Sequence, residues 1–589
     1  MRQFLKFTFA SCLGVILASV ALFFIFIIIG TSLMASGKQK TVVSNQSILQ
    51  IDFANQIPER TNNISTTQLS WNAESVLGLH DIISLIEKAA DDEKIKGIHL
   101  EPIRSTLGMA QAQLFLEALK DFKKSGKIIT SYADYYTQPA YYLASAADQI
   151  CINPIGVLDF RGIASYSPFF KDMLDAVGVK MNIYYAGDFK SATEPFRRND
   201  MSPENRLQTK EFLNSVYSTF LEDIAAARGE GLTGQKLKEL AYGFLIQKPE
   251  DALEQNMIDM IGFKSDLDAW RKEKLDLEED QKIIMLTPEE YATAVSYKNL
   301  GSGTDRIAVV YAEGEIRDGK EVYGQIKDGQ YVPLLEKIRK NDKIKAVVFR
   351  INSPGGSILS AEKIYQQIIA LKEEGMKVVV SMGDLAASGG YYLSAPADSI
   401  FAAENTLTGS IGVFSMIPNV NELLEEKIGI HFDTVRTGPV SAGFTPYLEW
   451  TENEHQYLQR RTDHYYDLFL QRVSDGRNMT KENVHKVAQG RIWTGEKALQ
   501  LGLVDAIGDL DDAVASAARL AGLDDFRIVE YPKFKNPMQK AIEDLLNPKS
   551  LQTEIITSKV EQAIPAVKYF DVLQDIGIPQ AKMVLELEL

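Results

Sequence analysis

The sequence contains one long unit that occurs twice. Residues 141–148 read YYLASAAD and residues 391–398 read YYLSAPAD, an offset of 250. Two more pairs of segments keep the same order at nearly the same offset, namely 91–100 with 341–350 and 252–262 with 498–508. Three ordered matches at a nearly constant offset indicate a repeated structural unit. The sequence therefore predicts two related domains, residues 47–298 and 304–530.

Each copy alternates strand-like and helix-like segments. In the second copy the apolar, β-branched run 345–351 ends at the turn Asn352-Ser-Pro-Gly-Gly356. The next segment has apolar residues at helical spacing, and a second buried run follows at 376–382. Repeated β-α-β units favour a mostly parallel sheet with right-handed crossovers. Ligands of such α/β folds bind at the carboxyl ends of the strands, where the turn 352–356 falls.

The amino terminus carries an uncharged apolar segment. No charged residue occurs between Lys6 and Lys38, and residues 9–30 read FASCLGVILASVALFFIFIIIG. Because about 20 apolar residues span a bilayer as a helix, residues 1–36 are interpreted as a signal anchor with a transmembrane helix at 9–30. The preceding Arg2 and Lys6 favour a cytoplasmic amino terminus, with the rest of the chain on the outer side of the membrane. A cleaved signal peptide and a buried core helix are the alternatives.

Composition excludes several classes of protein. Lys and Arg number 63 against 79 Asp and Glu, a net charge of −16, which together with the lack of a basic block argues against nucleic acid as the main partner. The two cysteines are Cys12, in the apolar segment, and Cys151, so the soluble part can form neither an internal disulfide nor a paired-cysteine zinc site. The P-loop motif of ATPases does not occur.

A glycine-rich turn in the second copy contains a candidate nucleophile. Ser388, in Ala386-Ala-Ser-Gly-Gly390, stands at the start of a helix after a strand, where backbone N–H groups and the helix dipole favour negative charge. On its own this turn indicates no more than a tight bend. Comparison of the two copies strengthens the case for Ser388. Gln138 of the first copy aligns with Ser388, and Lys190 of the first copy has no lysine counterpart in the second. A serine in one copy and a lysine in the other would suit one composite site.

A serine hydroxyl needs a base to act as a nucleophile, and neither motif contains a histidine. A lysine can be that base if burial lowers its pKa enough to leave the amine neutral. Phe189 and Phe196 could keep Lys190 dry, whereas Glu194 would favour the charged amine if it pointed at the lysine. The ordinary alternative for Lys190 is a solvated side chain at a strand edge.

These residues and their surroundings resemble the signal peptide peptidase A family, also called protease IV, in its long duplicated form from Gram-negative bacteria. The matching segments are GDFKSATEPFRRNDMSPENR (187–206), RINSPGGS (350–357), SMGDLAASGGYYLSAPAD (381–398), NTLTGSIGVF (405–414) and GRIWTGEKALQLGLVDAIGD (490–509). With the apolar amino terminus and both repeats, the resemblance covers nearly the whole chain. It implies an α/β fold made of two Clp protease/crotonase-like β-β-α spiral domains behind an N-terminal transmembrane helix.

The resemblance also implies roles for individual residues. Ser388 matches the nucleophile, Lys190 the general base, and the backbone N–H groups of Gly356 and Gly389 the oxyanion hole. Ser410 is a candidate to orient the lysine, a plain turn serine being the alternative. The resemblance implies that the chain uses this Ser–Lys dyad without a metal ion or a cofactor.

The resemblance further implies a setting for the enzyme. We expect a single-pass protein of the inner membrane with its catalytic domain on the periplasmic side, assembled as a homotetramer. Its expected substrates are cleaved signal peptides and other flexible apolar peptides. Two other functions stay open at this point: a crotonase-like acyl-CoA enzyme, or a catalytically inactive membrane scaffold. Residues 531–589 are predicted to form a helical tail. Whether Lys190 and Ser388 meet within one chain or between subunits is left open by the sequence.

Overall fold

The computed structural model of the chain describes residues 42–53, 57–63, 76–101, 107–229, 231–534 and 579–583, together with residues 7, 13, 14, 18 and 19. Apart from four of those isolated positions, the predicted anchor helix at 9–30 lies outside the described residues. Among the helices of the described part, none combines the length and the apolar character needed to cross a membrane.

The described residues form twenty β-strands. In chain order they are Ser47–Asp52 (β1), Ile95–Glu101 (β2), Ile128–Tyr136 (β3), Gln149–Leu158 (β4), Lys180–Ala186 (β5), Met260–Ile261 (β6), Ile284–Leu286 (β7), Arg306–Glu313 (β8), Glu315–Arg317 (β9), Gln325–Lys327 (β10), Ile344–Ser353 (β11), Gly355–Ser357 (β12), Lys377–Ala387 (β13), Ser399–Ala402 (β14), Leu407–Gly409 (β15), Val413–Asn419 (β16), Ile492–Thr494 (β17), Ala506–Ile507 (β18), Arg527–Tyr531 (β19) and Gln580–Lys582 (β20).

The same residues form seventeen α-helices. They are Leu79–Asp91 (α1), Met109–Lys123 (α2), Gln138–Ala144 (α3), Lys171–Ala176 (α4), Glu194–Arg197 (α5), Pro203–Arg228 (α6), Gly234–Tyr242 (α7), Pro249–Glu254 (α8), Lys264–Lys274 (α9), Pro288–Ala294 (α10), Asp328–Arg339 (α11), Ile358–Glu373 (α12), Gly389–Ser394 (α13), Glu452–Arg477 (α14), Lys481–Val487 (α15), Gly495–Gln500 (α16) and Leu510–Ala521 (α17).

The two repeats fold alike, which confirms the predicted tandem α/β duplication. Strands β2 and β11 begin 249 residues apart, as do β3 and β13 and the two 26-residue helices α6 and α14. The sheet of the first repeat has the order β6-β4-β3-β2-β1-β7, and every pair in it is parallel. The sheet of the second repeat has the order β17-β15-β13-β11-β8-β19, with β14 also paired to β13.

The central strands are buried on both faces, as continuous apolar runs in parallel sheets usually are. In β11, Val347 and Phe349 belong to one apolar cluster, which also contains residues of α11 and α12. Their neighbours Ala346 and Val348 belong to a second cluster with residues of α17. Alternation along the strand thus places a helical layer on each side of the sheet.

A third sheet joins the two repeats and has the order β10-β9-β12-β20-β16-β5. Strand β5 of the first repeat runs antiparallel to β16 of the second, from Ala186 opposite Val413 to Lys180 opposite Asn419. Because β5 ends beside the start of β16, the loop that follows β5 lies against the second repeat.

The stretch of the predicted helical tail that the structure describes beyond residue 534 is a strand. Gln580–Lys582 form strand β20, inserted between β12 and β16, while most of residues 531–589 lies outside the described residues. The strand forms because each of its neighbours offers it backbone hydrogen-bonding groups. Those partners lie more than 160 residues away in the chain, beyond the reach of a local pattern.

A buried charged cluster also connects the repeats. Arg350 of β11 donates to the carboxylate of Glu59 at 2.8 Å, and both side chains are 3 % exposed. Asp384 of β13 accepts from the backbone N–H of Gln111 in the first turn of α2 at 2.9 Å, so a side chain of the second repeat caps a helix of the first. Burial raises the pKa of Asp384 to about 7 and that of Glu313, which accepts from the Glu59 backbone N–H, to about 8.

Candidate active site

Ser388 occupies the sharp turn between β13 and α13. Its backbone has φ 55° and ψ −113°, a conformation that costs a non-glycine residue about 1–3 kcal/mol and that tends to occur at active sites. The turn is held because the Ser388 N–H donates to the Gly409 carbonyl at 2.8 Å, and the Ser388 carbonyl accepts from the Tyr392 N–H at 2.8 Å. The side chain is fully buried. The hydroxyl is therefore presented in one fixed place.

Lys190 lies in the loop after β5, which closes through a bond from its own N–H to the Gly187 carbonyl at 3.1 Å. The loop packs directly on Gly490, and a methyl group there would lie 2.6 Å from Lys190 Cβ. Only glycine allows this approach, since Gly490 also has a φ of 78°. The neighbouring Phe189 N–H donates to the Gln489 carbonyl at 2.9 Å.

The structure brings the two predicted residues together within one chain. Lys190 Nζ lies 2.8 Å from Ser388 Oγ, although 198 residues separate them in sequence. The same Nζ lies 3.0 Å from the carbonyl oxygen and 3.0 Å from the hydroxyl of Ser410. Ser410 is itself held at φ 50°, with its N–H donating to the Arg491 carbonyl at 2.7 Å. The lysine is thus fixed from two sides and faces the serine.

Burial lowers the pKa of Lys190 from 10.5 to about 7. The cause is loss of hydration, which disfavours the ammonium form. Glu194 does not offset this effect of burial. Its carboxylate is directed to the start of α6, where it accepts from the Ser202 N–H at 3.1 Å and from Asn205 Nδ2 at 2.9 Å. A large share of the molecules then carries a neutral amine near pH 7, which is the form able to accept a proton.

The two predicted oxyanion glycines lie on adjoining elements. Gly389 is the first residue of α13, and Gly356 is the middle residue of β12. A methyl group at Gly355 would lie 2.6 Å from Gly389 N and 3.0 Å from Ser388 Cβ, so β12 passes directly against the serine turn. One at Gly356 would lie 2.0 Å from the Ile316 carbonyl oxygen. Backbone N–H groups can therefore approach a reacting carbonyl here without an intervening side chain.

In the first repeat, Gln138 occupies the position that corresponds to Ser388. At the start of α3 this side chain donates to the Gly162 carbonyl at 2.7 Å and accepts from the Gly162 N–H at 2.8 Å. The amide therefore replaces the hydroxyl and binds a neighbouring loop. The first repeat contributes the lysine, and the second contributes the serine.

Sequence reasoning missed Gln208 of α6, which holds the lysine loop in place. Its Nε2 donates to the Phe189 carbonyl and to Ser191 Oγ, each at 3.1 Å, and its Oε1 accepts from the Ile492 N–H at 3.2 Å. No motif marks this residue, because its partners lie on a loop of one repeat and a strand of the other. Gly490 did fall within a segment that resembled the family, but its role shows only in the packing.

Comparison with known proteins identifies the family of the chain. The model of "Peptidase family S49" matches residues 121–278 and 370–524, one stretch in each repeat, and the model of "Clp protease" matches residues 302–407. Protease 4 of Salmonella typhi is 35% identical over 474 residues, covering 77% of this chain and 74% of that protein. Protease 4 of Haemophilus influenzae is 33% identical over 509 residues, covering 83% and 81%. The chloroplastic serine protease SPPA of Arabidopsis thaliana is 30% identical over 469 residues, covering 77% and 68%.

These matches extend through both repeats and include the serine turn and the lysine loop. The structure is consistent with these matches, because it has two sheets of the expected α/β type and a buried serine on a strained turn. The chain therefore belongs to peptidase family S49 and is a serine protease.

Proposed function

We propose that the chain is a membrane-anchored endopeptidase in which Lys190 serves Ser388 as general base. The observation that carries this proposal is the 2.8 Å approach of a buried lysine amine to the serine hydroxyl. With its pKa lowered to about 7, the amine can take up the hydroxyl proton at neutral pH.

The proposed reaction begins with attack of Ser388 Oγ on a peptide carbonyl while its proton passes to Lys190 Nζ. The N–H groups of Gly356 and Gly389 stabilise the oxyanion, which is the usual function of such backbone donors. Lys190 returns the proton to the leaving amine, and water activated by the same amine releases the acyl group. Ser410 is a positioning residue, since it holds Nζ without touching the substrate.

The site favours this chemistry over the two alternatives. Enolate stabilisation in an acyl-CoA enzyme would require the paired N–H groups but no lysine in contact with a serine. An inactive scaffold would have no need to bury a lysine at 2 % exposure, which costs stability. Both features suit acyl transfer to Ser388.

The proposed substrates are cleaved signal peptides and other flexible apolar peptides. The serine lies beside β12, so a substrate has to pair with β12 as an extended strand, in the place that β20 takes here, which a folded protein cannot do. We place the enzyme in the inner membrane through residues 9–30, with the catalytic domain on the periplasmic side. A protease added to spheroplasts should then digest the domain; protection of the domain would place it in the cytoplasm.

The substrate proposal is tested with the full-length chain in detergent. Quenched-fluorescent peptides with a leucine-rich core should be cleaved, whereas a peptide of equal length rich in Lys and Glu and a stably folded protein should survive. Equal cleavage of both peptides would contradict the preference for apolar sequences.

The proposed homotetramer has support in the repeat itself. Strand β5 of the first repeat pairs with β16 of the second, but their repeat counterparts, residues 431–437 and 163–169, form neither such a pair nor an extended strand in the described chain. Segment 431–437 exposes apolar side chains, with Val435 fully exposed. Residues 431–437 of one chain can pair with residues 163–169 of the next chain in the way that β5 pairs with β16 within one chain. Repetition of this contact from chain to chain can close a ring.

This arrangement predicts that Phe432→Asp with Val435→Asp breaks the oligomer, because two charges would enter the proposed interface. Light scattering of the detergent-solubilised protein should show a fall from four chains to one. Leu520→Asp, at an exposed apolar position of α17, is the matched control and should keep four chains. An unchanged mass for the double variant would refute this interface.

A further inference from the structure

The tail segment Pro579–Met583 lies in the groove next to the nucleophile. Its strand β20 is antiparallel to β12 on one side, with Gly356 opposite Ala581, and contacts β16 on the other, with Phe414 opposite Gln580. Ala581 has no exposed surface, and Gln580 and Met583 are buried. This is the position that an extended peptide substrate requires.

The register of β20 against β12 places the Ala581 carbonyl next to Gly356, one of the two glycines of the proposed oxyanion hole. The Met583 N–H donates to the Pro354 carbonyl at 2.7 Å, and the Ile358 N–H donates to the Pro579 carbonyl at 3.4 Å. Hydrogen-bonded pairs alternate along an antiparallel ladder, so the pair between these two, Gly356 with Ala581, is also of the hydrogen-bonded kind. The Gly356 N–H therefore faces the Ala581 carbonyl.

The same carbonyl lies next to the serine turn. A methyl group placed at Gly355 would be 2.0 Å from the Ala581 oxygen, 2.6 Å from Gly389 N and 3.0 Å from Ser388 Cβ. All three atoms thus surround one point. Among the residues of the tail strand, Ala581 is the one whose carbonyl Ser388 can attack.

We propose that the segment is an internal substrate, cleaved in its own chain between Ala581 and Lys582. This inference rests on the proposed function and identifies a substrate for that site. Ser388 Oγ bonds to the Ala581 carbonyl carbon and its proton passes to Lys190 Nζ. The Ala581–Lys582 bond then breaks, and the Lys582 nitrogen takes that proton. Water supplies hydroxide to the acyl carbon and a proton to Ser388 Oγ by way of Lys190, leaving a chain that ends at Ala581 and the peptide 582–589.

The side chains around the tail define the peptide class that the groove accepts. Ala581 is enclosed in the apolar cluster of the second repeat, which leaves no exposed surface for a larger side chain. Lys582 Nζ forms an ion pair with Glu315 at 2.8 Å, and both side chains are largely buried. Met583 belongs to an apolar cluster with Ala387 and Leu407. In the bound tail the groove therefore holds a small residue before the cleaved bond, a basic one after it and an apolar one next, and the leucine-rich reporter peptide carries one alanine in its core to match the first of these.

The first test is intact-mass spectrometry of the full-length protein purified as wild type, as Ser388→Ala and as Ala581→Phe. Wild type should lack residues 582–589, and Ser388→Ala should retain them. Ala581→Phe should also retain them while still cleaving the leucine-rich reporter peptide. Retention of 582–589 by a wild type that cleaves the reporter would overturn this inference and leave the proposed function standing. If neither the tail nor the reporter is cleaved, the proposed function fails and this inference with it.

The second test exchanges charges across the groove. Reporter peptides containing IPQAKMV and IPQAEMV should differ in kcat/KM on the order of tenfold in favour of the lysine peptide, because the glutamate meets Glu315. Glu315→Lys should reverse that preference, which a purely structural role of Glu315 would not do. The same preference in wild type and Glu315→Lys would overturn the assignment of this pocket.

Discussion

Ser388→Ala should lower kcat for a leucine-rich peptide on the order of a millionfold, which is the scale seen when serine proteases lose their nucleophile. The hydroxyl is the only part removed, and the backbone of the turn is held by the bonds to Gly409 and Tyr392. Residual cleavage would come from the oxyanion glycines and from substrate binding. The measurement is kcat for the reporter peptide with the full-length protein.

Ser394→Ala is the matched control for this variant. Ser394 is also a fully buried serine, at the other end of α13, and its hydroxyl donates to the Gly390 carbonyl at 2.8 Å. It should retain wild-type kcat. Equal losses in the two variants would mean that damage to α13, and not loss of a nucleophile, explains the first result.

Lys190→Met should reduce kcat/KM by about ten-thousandfold, the upper end of what a general base contributes. Methionine fills a similar volume but cannot accept the Ser388 proton. Lys190→Arg should be equally inactive, because a guanidinium stays charged in proteins. Lys180→Met, an exposed position on β5, should retain wild-type activity.

The melting temperature of Lys190→Met distinguishes a chemical role of the lysine from a structural one. Folding lowers the pKa of Lys190 from 10.5 to about 7, so wild-type unfolding takes up a proton between those pH values and wild-type stability rises with pH across that window. The methionine variant lacks this dependence. Its melting temperature should exceed that of wild type most at pH 7, and the difference should narrow toward pH 10. An inactive variant that melts well below wild type at pH 7 would show that the lysine is chiefly structural.

Much of the fold could be predicted from the sequence because the two repeats still share similar segments. The matches around Tyr141 and Tyr391 already imply two like domains, and the runs that form β11 and β13 are continuous enough to mark buried parallel strands. The pairing of Ser388 with Lys190 was predictable as a composite site, since each copy lacks the residue that the other has. Their contact within one chain was not, because it depends on the antiparallel pairing of β5 with β16.

The remaining features depend on contacts that leave no local pattern. Gln208 supports the lysine loop through bonds to both repeats, and no motif in the sequence of α6 marks this residue. The tail was predicted to be helical, yet Gln580–Lys582 form a strand because the groove between β12 and β16 supplies their hydrogen-bond partners. Asp384 could be noticed in the sequence, but its capping of α2 requires the packing of one repeat on the other.

The pH dependence of kcat/KM for wild type tests the neutral lysine most directly. The substrate should be a leucine-rich peptide without groups that titrate between pH 5 and 10, cleaved by the full-length protein. Because the ammonium form cannot accept the Ser388 proton, the account predicts that activity falls about tenfold per pH unit below a midpoint near 7 and is level above it. A profile that is flat down to pH 5, or one whose midpoint lies near the ordinary lysine value of 10.5, would contradict it.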